Sequence, residues 1–336
     1  MTTEFDLIRR HFTRPMPTGV LGPGDDCALL PAPETQGLSW AVTTDTLAAG
    51  THFFADVDPE DLGWKSLAVS LSDLAAMGAT PRYAQAALCL PHADESWITA
   101  FAQGLYTCAD AFDVSLTGGD LTKGSLNICV TAIGTVDATQ TLKRSNARPG
   151  DDIWISGLPG QAALGLAHLQ AKLTLPATAL PDCLAALHRP QPRIELGKAL
   201  LGVAHAAVDI SDGLLADLRH LLKASDLAAE IQLAKLPALP YHQSLSLEAN
   251  TAIVRQQLNG GDDYELCFCA PVGQRDQITA ASGRLSLLLS RIGKTLRAED
   301  TGTHGTRKVI PGEVRLLDAK GQAQPEYSLR GYEHFA

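Results

Sequence analysis

The sequence predicts a mixed α/β protein (α+β, with mixed sheets) of two domains, and three observations carry the prediction. At 336 residues the chain is longer than a single hydrophobic core usually serves. Runs rich in β-branched or aromatic residues alternate with segments of helical periodicity in both halves. The polar, turn-forming stretch "RSNARPGDD" (144–152) separates the two series, which sets the expected domains at 1–143 and 144–336.

In the first half, "LSWAVTTDTL", "RYAQAALCLP", "DVSLTGG" and "LNICVTAIGTV" read as strands, and turn residues bound several of them. Between them, 60–78 and 94–111 read as helices; in the first, Leu67, Leu71, Leu74 and Ala75 recur at helical spacing. In the second half, "DIWISG" predicts a strand and "QAALGLAHLQ" a helix. "AAVDIS" is another strand, and "DGLLADLRHLLKAS" a helix with Leu214, Leu215, Leu218, Leu221 and Leu222 on one face. "YELCFCAP" is a further strand, with Cys267 and Cys269 pointing the same way. No short tandem repeat or low-complexity tract interrupts the series.

Composition narrows the function classes. A hydrophobic fraction of 45% and a charged fraction of 19% are those of a soluble globular protein. No apolar stretch reaches membrane-spanning length, and "MTTEFDLIRRHF" lacks a signal peptide's apolar core. The seven cysteines are odd in number and lie mostly in apolar runs, which fits reduced, buried thiols in a cytoplasmic protein. A net charge of −10 without clustered Lys and Arg argues against a nucleic-acid groove. An acidic protein still binds a nucleotide if metal ions supply the positive charge.

Carboxylates recur where apolar segments meet loops: Asp25 and Asp26 in "GPGDDCALL", then Asp45, Asp73, Asp120, Asp209 and Asp212. Asp73 is the most telling, because Val69 and Met77 flank it one helical turn either way. An unpaired charge on such a stripe is costly, and a metal or a cationic partner relieves it. Dispersed aspartates at strand ends and helix starts suit Mg²⁺, which joins a few carboxylates to substrate phosphates. Ordinary structural roles stay open for each. Asp25 reads as a turn residue, Ser211 with Asp212 as a helix N-cap, Asp120 as a turn cap, and Thr43 and Thr44 as strand threonines. There is no G-x-x-x-x-G-K-[ST] phosphate loop, and "GLPGQAALG" lacks the G-x-G-x-x-G spacing.

Read in order, "GPGDDCALL", "TTDTLAAGTHF", "SLSDLAAMGA", "LTGGDLTKG", "RSNARPGDDIWISG", "VDISDGLLADL", "LNGGDDYELCF" and "LRGYEHFA" resemble the thiamine-monophosphate kinases. These belong to the wider group of ATP-binding proteins typified by aminoimidazole ribonucleotide synthetase. The resemblance implies that group's two-domain fold: an N-terminal ATP- and magnesium-binding domain that forms dimers, and a C-terminal α/β domain completing the site. It implies transfer of the ATP γ-phosphoryl group to thiamine monophosphate, giving thiamine diphosphate. Carried over by motif, Asp26, Thr43, Thr44, Asp45, Asp73, Asp120, Asp209 and Asp212 would hold several Mg²⁺ ions. Tyr106, Gly119, Asp120, Arg144 and Ser211 would contact ATP, and His52, Asp262 and Tyr332 thiamine monophosphate. One departure is visible: Asp262 stands in "GGDD" where these kinases usually have Glu, so its carboxylate reaches one methylene less far.

The chemistry fits these residues. Phosphoryl transfer between two anions is positioning plus charge neutralisation. A phosphate monoester acceptor is largely ionised near neutral pH, so no general base and no phosphoenzyme are expected. Competing expectations are other enzymes of this fold and, from a different class, a structural cation-binding module. Selenophosphate synthetases usually carry a reactive Cys and a Lys near the N-terminus, and hydrogenase-maturation relatives a terminal Cys. This chain has neither before "GPGDD" and ends "EHFA".

Overall fold

The computed structural model describes residues 25–31, 37–239, 247–297 and 310–324, and within them the period-2 segments pair into two sheets. The first holds β1 (Ala28–Pro31), β2 (Leu38–Ala48), β3 (Thr80–Leu90), β4 (Ser115–Lys123) and β5 (Asn127–Asp137), ordered β1-β2-β5-β3-β4. Neighbours are antiparallel except β3 and β4. On β2 and β5 the side chains alternate. Ala41, Thr43, Leu47, Ile128, Val130 and Ala132 are buried beneath α1 (Pro59–Ala76), and the intervening residues lie on the other face. Helix α2 (Glu95–Ala111) packs along α1 through a close approach that two glycines permit. A Cβ on Gly63 would fall 2.0 Å from the Phe101 carbonyl oxygen, and one on Gly104 1.8 Å from that of Glu60.

The second sheet comprises β6 (Asp152–Ser156), β7 (Ala206–Asp209), β8 (Leu227–Gln232), β9 (Leu266–Ala270), β10 (Leu289–Arg297) and β11 (Val314–Leu317). Its order is β11-β8-β10-β6-β9-β7, and only β11 and β8 pair in parallel. Helices α3 (Gln161–Leu169), α4 (Leu180–His188), α5 (Ile194–Ala199), α6 (Leu214–Ala224), α7 (Leu247–Asn259) and α8 (Arg275–Leu285) accompany it. Strands β6 and β9 are buried at every position because both faces of this sheet are covered. Ile153, Ile155, Cys267 and Cys269 pack with the α6 leucines, whereas Trp154, Leu266 and Phe268 join the core around α1.

Helix α1 therefore lies between the two units, which explains why hydroxyls and a lysine are buried on it. Ser70 donates to the Val130 carbonyl of the first sheet at 3.2 Å, and Ser72 to Asp209 of the second at 2.8 Å. The expected helix over 60–78 is observed at Pro59–Ala76, and the strand expected over 113–119 runs on to Lys123. Not anticipated were α4, α5, α7, α8, β1, β8, β10 and β11. In β10 a register shift between Arg291 and Gly293 breaks the alternation a strand would show, and α5 is six residues long. No described helix is long and apolar enough to cross a membrane.

Candidate active site

Three aspartates from elements far apart in the chain converge. Asp26 precedes β1, Asp73 sits near the end of α1, and Asp209 ends β7; one oxygen from each lies within 4.8 Å of the others. Each is oriented by a separate donor. Thr43 on β2 donates to Asp73, Ser72 to Asp209, and Arg144 forms an ion pair with Asp26, its Nε 3.2 Å from Oδ2. Ser72 and Asp73 are consecutive on α1, so one helical turn both contributes a carboxylate to the cluster and orients that of Asp209. Asp45, on the same strand as Thr43, is half-buried, and its Oδ2 is shut off from solvent with no hydrogen-bond partner among the described residues. An unpaired buried carboxylate oxygen is expensive unless something outside the chain binds it.

The electrostatics agree. Burial, then the charges of Asp45, Asp209 and Asp26, push the Asp73 carboxyl well above its ordinary range. Burial, then Asp26 and Asp217, do the same to Asp209, and burial raises Asp45. Desolvation and the surrounding carboxylates also raise the Cys27 thiol, leaving it neutral. Of the three converging aspartates, Asp26 alone among the described residues has an ion-pair partner, Arg144. Hard oxygen donors at this spacing fit a divalent cation such as Mg²⁺.

A cleft between the two sheet units is lined by Thr44, Asp45, His52, Ser211, Asp212 and Asp262 among others. Six of the residues expected from sequence thus share one cavity. His52 accepts the Ala48 N–H on Nδ1 at 3.0 Å. Ser211 and Asp212 do not cap α6 with their side chains. Instead Asp217, inside the helix, reaches back to accept both their backbone N–H groups at 3.1 and 3.0 Å. Asp262 is held by the Lys65 ammonium at 2.9 Å and the Tyr264 hydroxyl at 3.0 Å. Gly160, in the glycine-rich turn before α3, donates its N–H to Asp263 at 2.7 Å.

Thr43 and Thr44 face opposite sides of β2: Thr43 donates to Asp73, and the Thr44 hydroxyl, which also lines the cleft, pairs with Thr131 at 2.8 Å. Other expected residues lie apart. Gly119 and Asp120 are exposed on β4, at the far edge of the first sheet. The row Asp45–Val130–Ala86–Gly119 crosses three inter-strand gaps, about 14 Å in all. A Cβ on Gly119 would lie 1.8 Å from the Ala86 carbonyl oxygen, so packing alone requires glycine there. Tyr106, on α2, is also exposed. Tyr332 lies outside the described residues.

Sequence reasoning missed Ser72, Asp217 and Lys65, and it read Asp25 as a turn residue. Asp25 in fact accepts the Arg144 backbone N–H at 2.7 Å. Lys65 did carry a signal: it is a charge within the apolar stripe of α1, two turns before Asp73. Asp217 carried none beyond its place in "DGLLADL".

The chain matches the AIR synthase related protein family, as its N-terminal domain over residues 24–136 and its C-terminal domain over 148–304. It is 44% identical to the thiamine-monophosphate kinase of Escherichia coli K12, over 99% of this chain and 98% of that one. The crystal structure of the Stenotrophomonas maltophilia thiamine-monophosphate kinase superposes with a TM-score of 0.76 at 41% identity, covering 91% of this chain and 92% of that one. The AaThiL complex with AMPPCP and TMP gives 0.80 at 28% identity, covering 99% and 97%.

Proposed function

The chain belongs to the thiamine-monophosphate kinases of the AIR synthase related family, and from that premise we propose that it phosphorylates thiamine monophosphate with ATP. The observation that carries the reading is the set of buried aspartates. Asp26, Asp73 and Asp209 share one point, and beside them Asp45 has an unpartnered oxygen. We assign them, with Asp212 at the cleft, to holding Mg²⁺ ions. The ions would neutralise the charge of two phosphate groups brought together for in-line transfer.

The residues of the chain have distinct tasks. Because Nδ1 of His52 accepts a backbone N–H, its neutral ring carries the proton on Nε2, a donor suited to the acceptor phosphate. Arg144 offers a planar set of donors to ATP phosphates from beside Asp26. Ser211 stands in the cleft on a loop stiffened by Asp217, which suits contact with a triphosphate. Asp262 favours the cationic thiazolium ring.

A dimer accounts for the residues left apart. The outer face of the first sheet carries Trp40 and Tyr83, the latter 42% exposed, and their rings lie 6.3 Å apart. We assign this face to a second copy, whose β4 edge would bring the partner's Gly119, Asp120 and Tyr106 to the cluster. The division at 143/144 then separates a dimer-forming N-terminal unit from the C-terminal unit that completes the cleft.

The test is a product assay with ATP, Mg²⁺ and thiamine monophosphate, read by chromatography. Equal thiamine diphosphate and ADP, both lost without Mg²⁺ and absent with free thiamine, is the expected result. ADP with free phosphate and no thiamine diphosphate would reject the acceptor. No ADP from folded protein would favour a structural cation-binding module.

A further inference from the structure

Lys65 is 3% exposed on the helix between the two sheet units. A buried ammonium loses its hydration and is retained only where a partner compensates it. Its partner is Asp262 Oδ2 at 2.9 Å, 197 residues away in the loop before β9. The other oxygen of that carboxylate accepts from Tyr264, and the Asp262 backbone N–H bonds the Ser211 carbonyl at 2.8 Å. The backbone there is in the left-handed region, with φ +69° at Asp262 and +51° at Tyr264. Such strain persists where surrounding contacts over-determine it, commonly in ligand-binding clefts. The carboxylate is thus held from two sides and its backbone from a third.

Lys65 and Asp262 also line one pocket with His52, Phe53, Leu166 and His188, continuous with the cleft through His52 and Asp262. Burial, then the nearby Lys65 charge, pushes His188 below its ordinary range, so the ring facing the pair is neutral at pH 7. A pocket whose walls are largely apolar, and whose polar groups include the Lys65–Asp262 pair, Asp61 and the His52 and His188 rings, suits an organic ring better than a triphosphate.

We propose that Lys65 is a positioning residue for acceptor recognition: it fixes the Asp262 carboxylate toward the pocket that takes the organic part of the acceptor. This rests on the kinase reading above. The alternative is a plain strut joining α1 to the β9 loop.

The experiment compares Lys65→Met, Asp262→Asn and the double variant, with separate constants for thiamine monophosphate and ATP. Asp262 is about a quarter exposed, 26% by side chain, so water can solvate it once the ammonium is gone. Lys65→Met is expected to raise KM for thiamine monophosphate about tenfold, with kcat and KM for ATP changed less than about twofold. In the Asp262→Asn background the same change should shift that KM by less than about twofold. Equal effects in both backgrounds, an unchanged acceptor KM, or both KM values rising together would overturn the proposal. Should Lys65→Met fail to fold, Tyr264→Phe removes the second tether; it should raise the acceptor KM alone, and no change would count against the proposal. Wild-type product formation is measured first. If it is absent, the kinase reading fails separately, and calorimetric binding of thiamine monophosphate to the same variants decides the role of Lys65.

Discussion

Asp73→Asn should stabilise the cation-free protein while destroying its activity. The side chain is nearly isosteric, and its carbonyl oxygen can still accept from Thr43, so packing around α1 is preserved. Two unit charges 4.8 Å apart repel by about 3.5 kcal/mol at an effective dielectric of 20. Arg144 cancels much of the Asp26 charge, leaving Asp45 and Asp209 as the main uncompensated repulsions on Asp73. Partial protonation already relieves some of it, as the raised carboxyls show. The gain should therefore be about 1–3 kcal/mol, equivalent to about 2–6 °C in Tm for a chain of this size. Scanning calorimetry at pH 8 with and without Mg²⁺ reads the first half of the claim, and thiamine diphosphate formation the second. Mg²⁺ should raise the wild-type Tm more than the variant's. A variant less stable than wild type without Mg²⁺, or one equally stabilised by Mg²⁺ and fully active, would refute the reasoning.

Other perturbations follow the same logic. Asp45→Asn should abolish most turnover and leave Tm within about 2 °C; wild-type rates would contradict a role for its unpartnered oxygen. Arg144→Met strands Asp26 in the interior and should cost about 3–5 kcal/mol in chemical denaturation, an effect that Asp26→Asn in the same chain should largely cancel. Mixing inactive Asp45→Asn and Asp120→Asn proteins under exchange conditions should restore activity if the partner supplies Asp120, and restore none if each chain builds its own site. Asp73 and Asp209 hold protons more tightly folded than unfolded. Their contribution to stability is complete below the ordinary value of 3.8 and is lost as pH rises through the raised folded values. Without Mg²⁺, Tm should therefore fall as pH rises through that range, and Mg²⁺ should flatten the fall; a cation-free Tm rising steadily to neutral pH would exclude this account.

Much of this site was visible in the sequence because its elements obey local rules. Strands β2 and β5 show clean alternation, and α1 places Asp73 among apolar neighbours. What could not be read was the order of strands in space. β5 inserts between β2 and β3, which carries β4, and with it Gly119 and Asp120, away from Asp45. Sequence distance gives no hint of that separation. Alternation did distinguish Thr43 from Thr44, since neighbours on a strand face opposite ways, yet grouping them by motif concealed it. Lys65, Ser72 and Asp217 were obscured because a buried polar residue on a helix looks like a solvated one until the second layer is known. For Lys65 and Ser72 that layer is the β7–β9 side of the second sheet, contributed by Asp262 and Asp209 more than a hundred positions downstream, whereas Asp217 accepts from backbone N–H groups just before its own helix.

The central claim is that divalent cations cancel the buried carboxylates. It is tested most directly by anomalous diffraction from crystals grown with Mn²⁺ and a non-hydrolysable ATP analogue. The account predicts manganese peaks among Asp26, Asp73 and Asp209 and beside Asp45, with the analogue's phosphates bridging them. Bound nucleotide with no metal at those oxygens would contradict it.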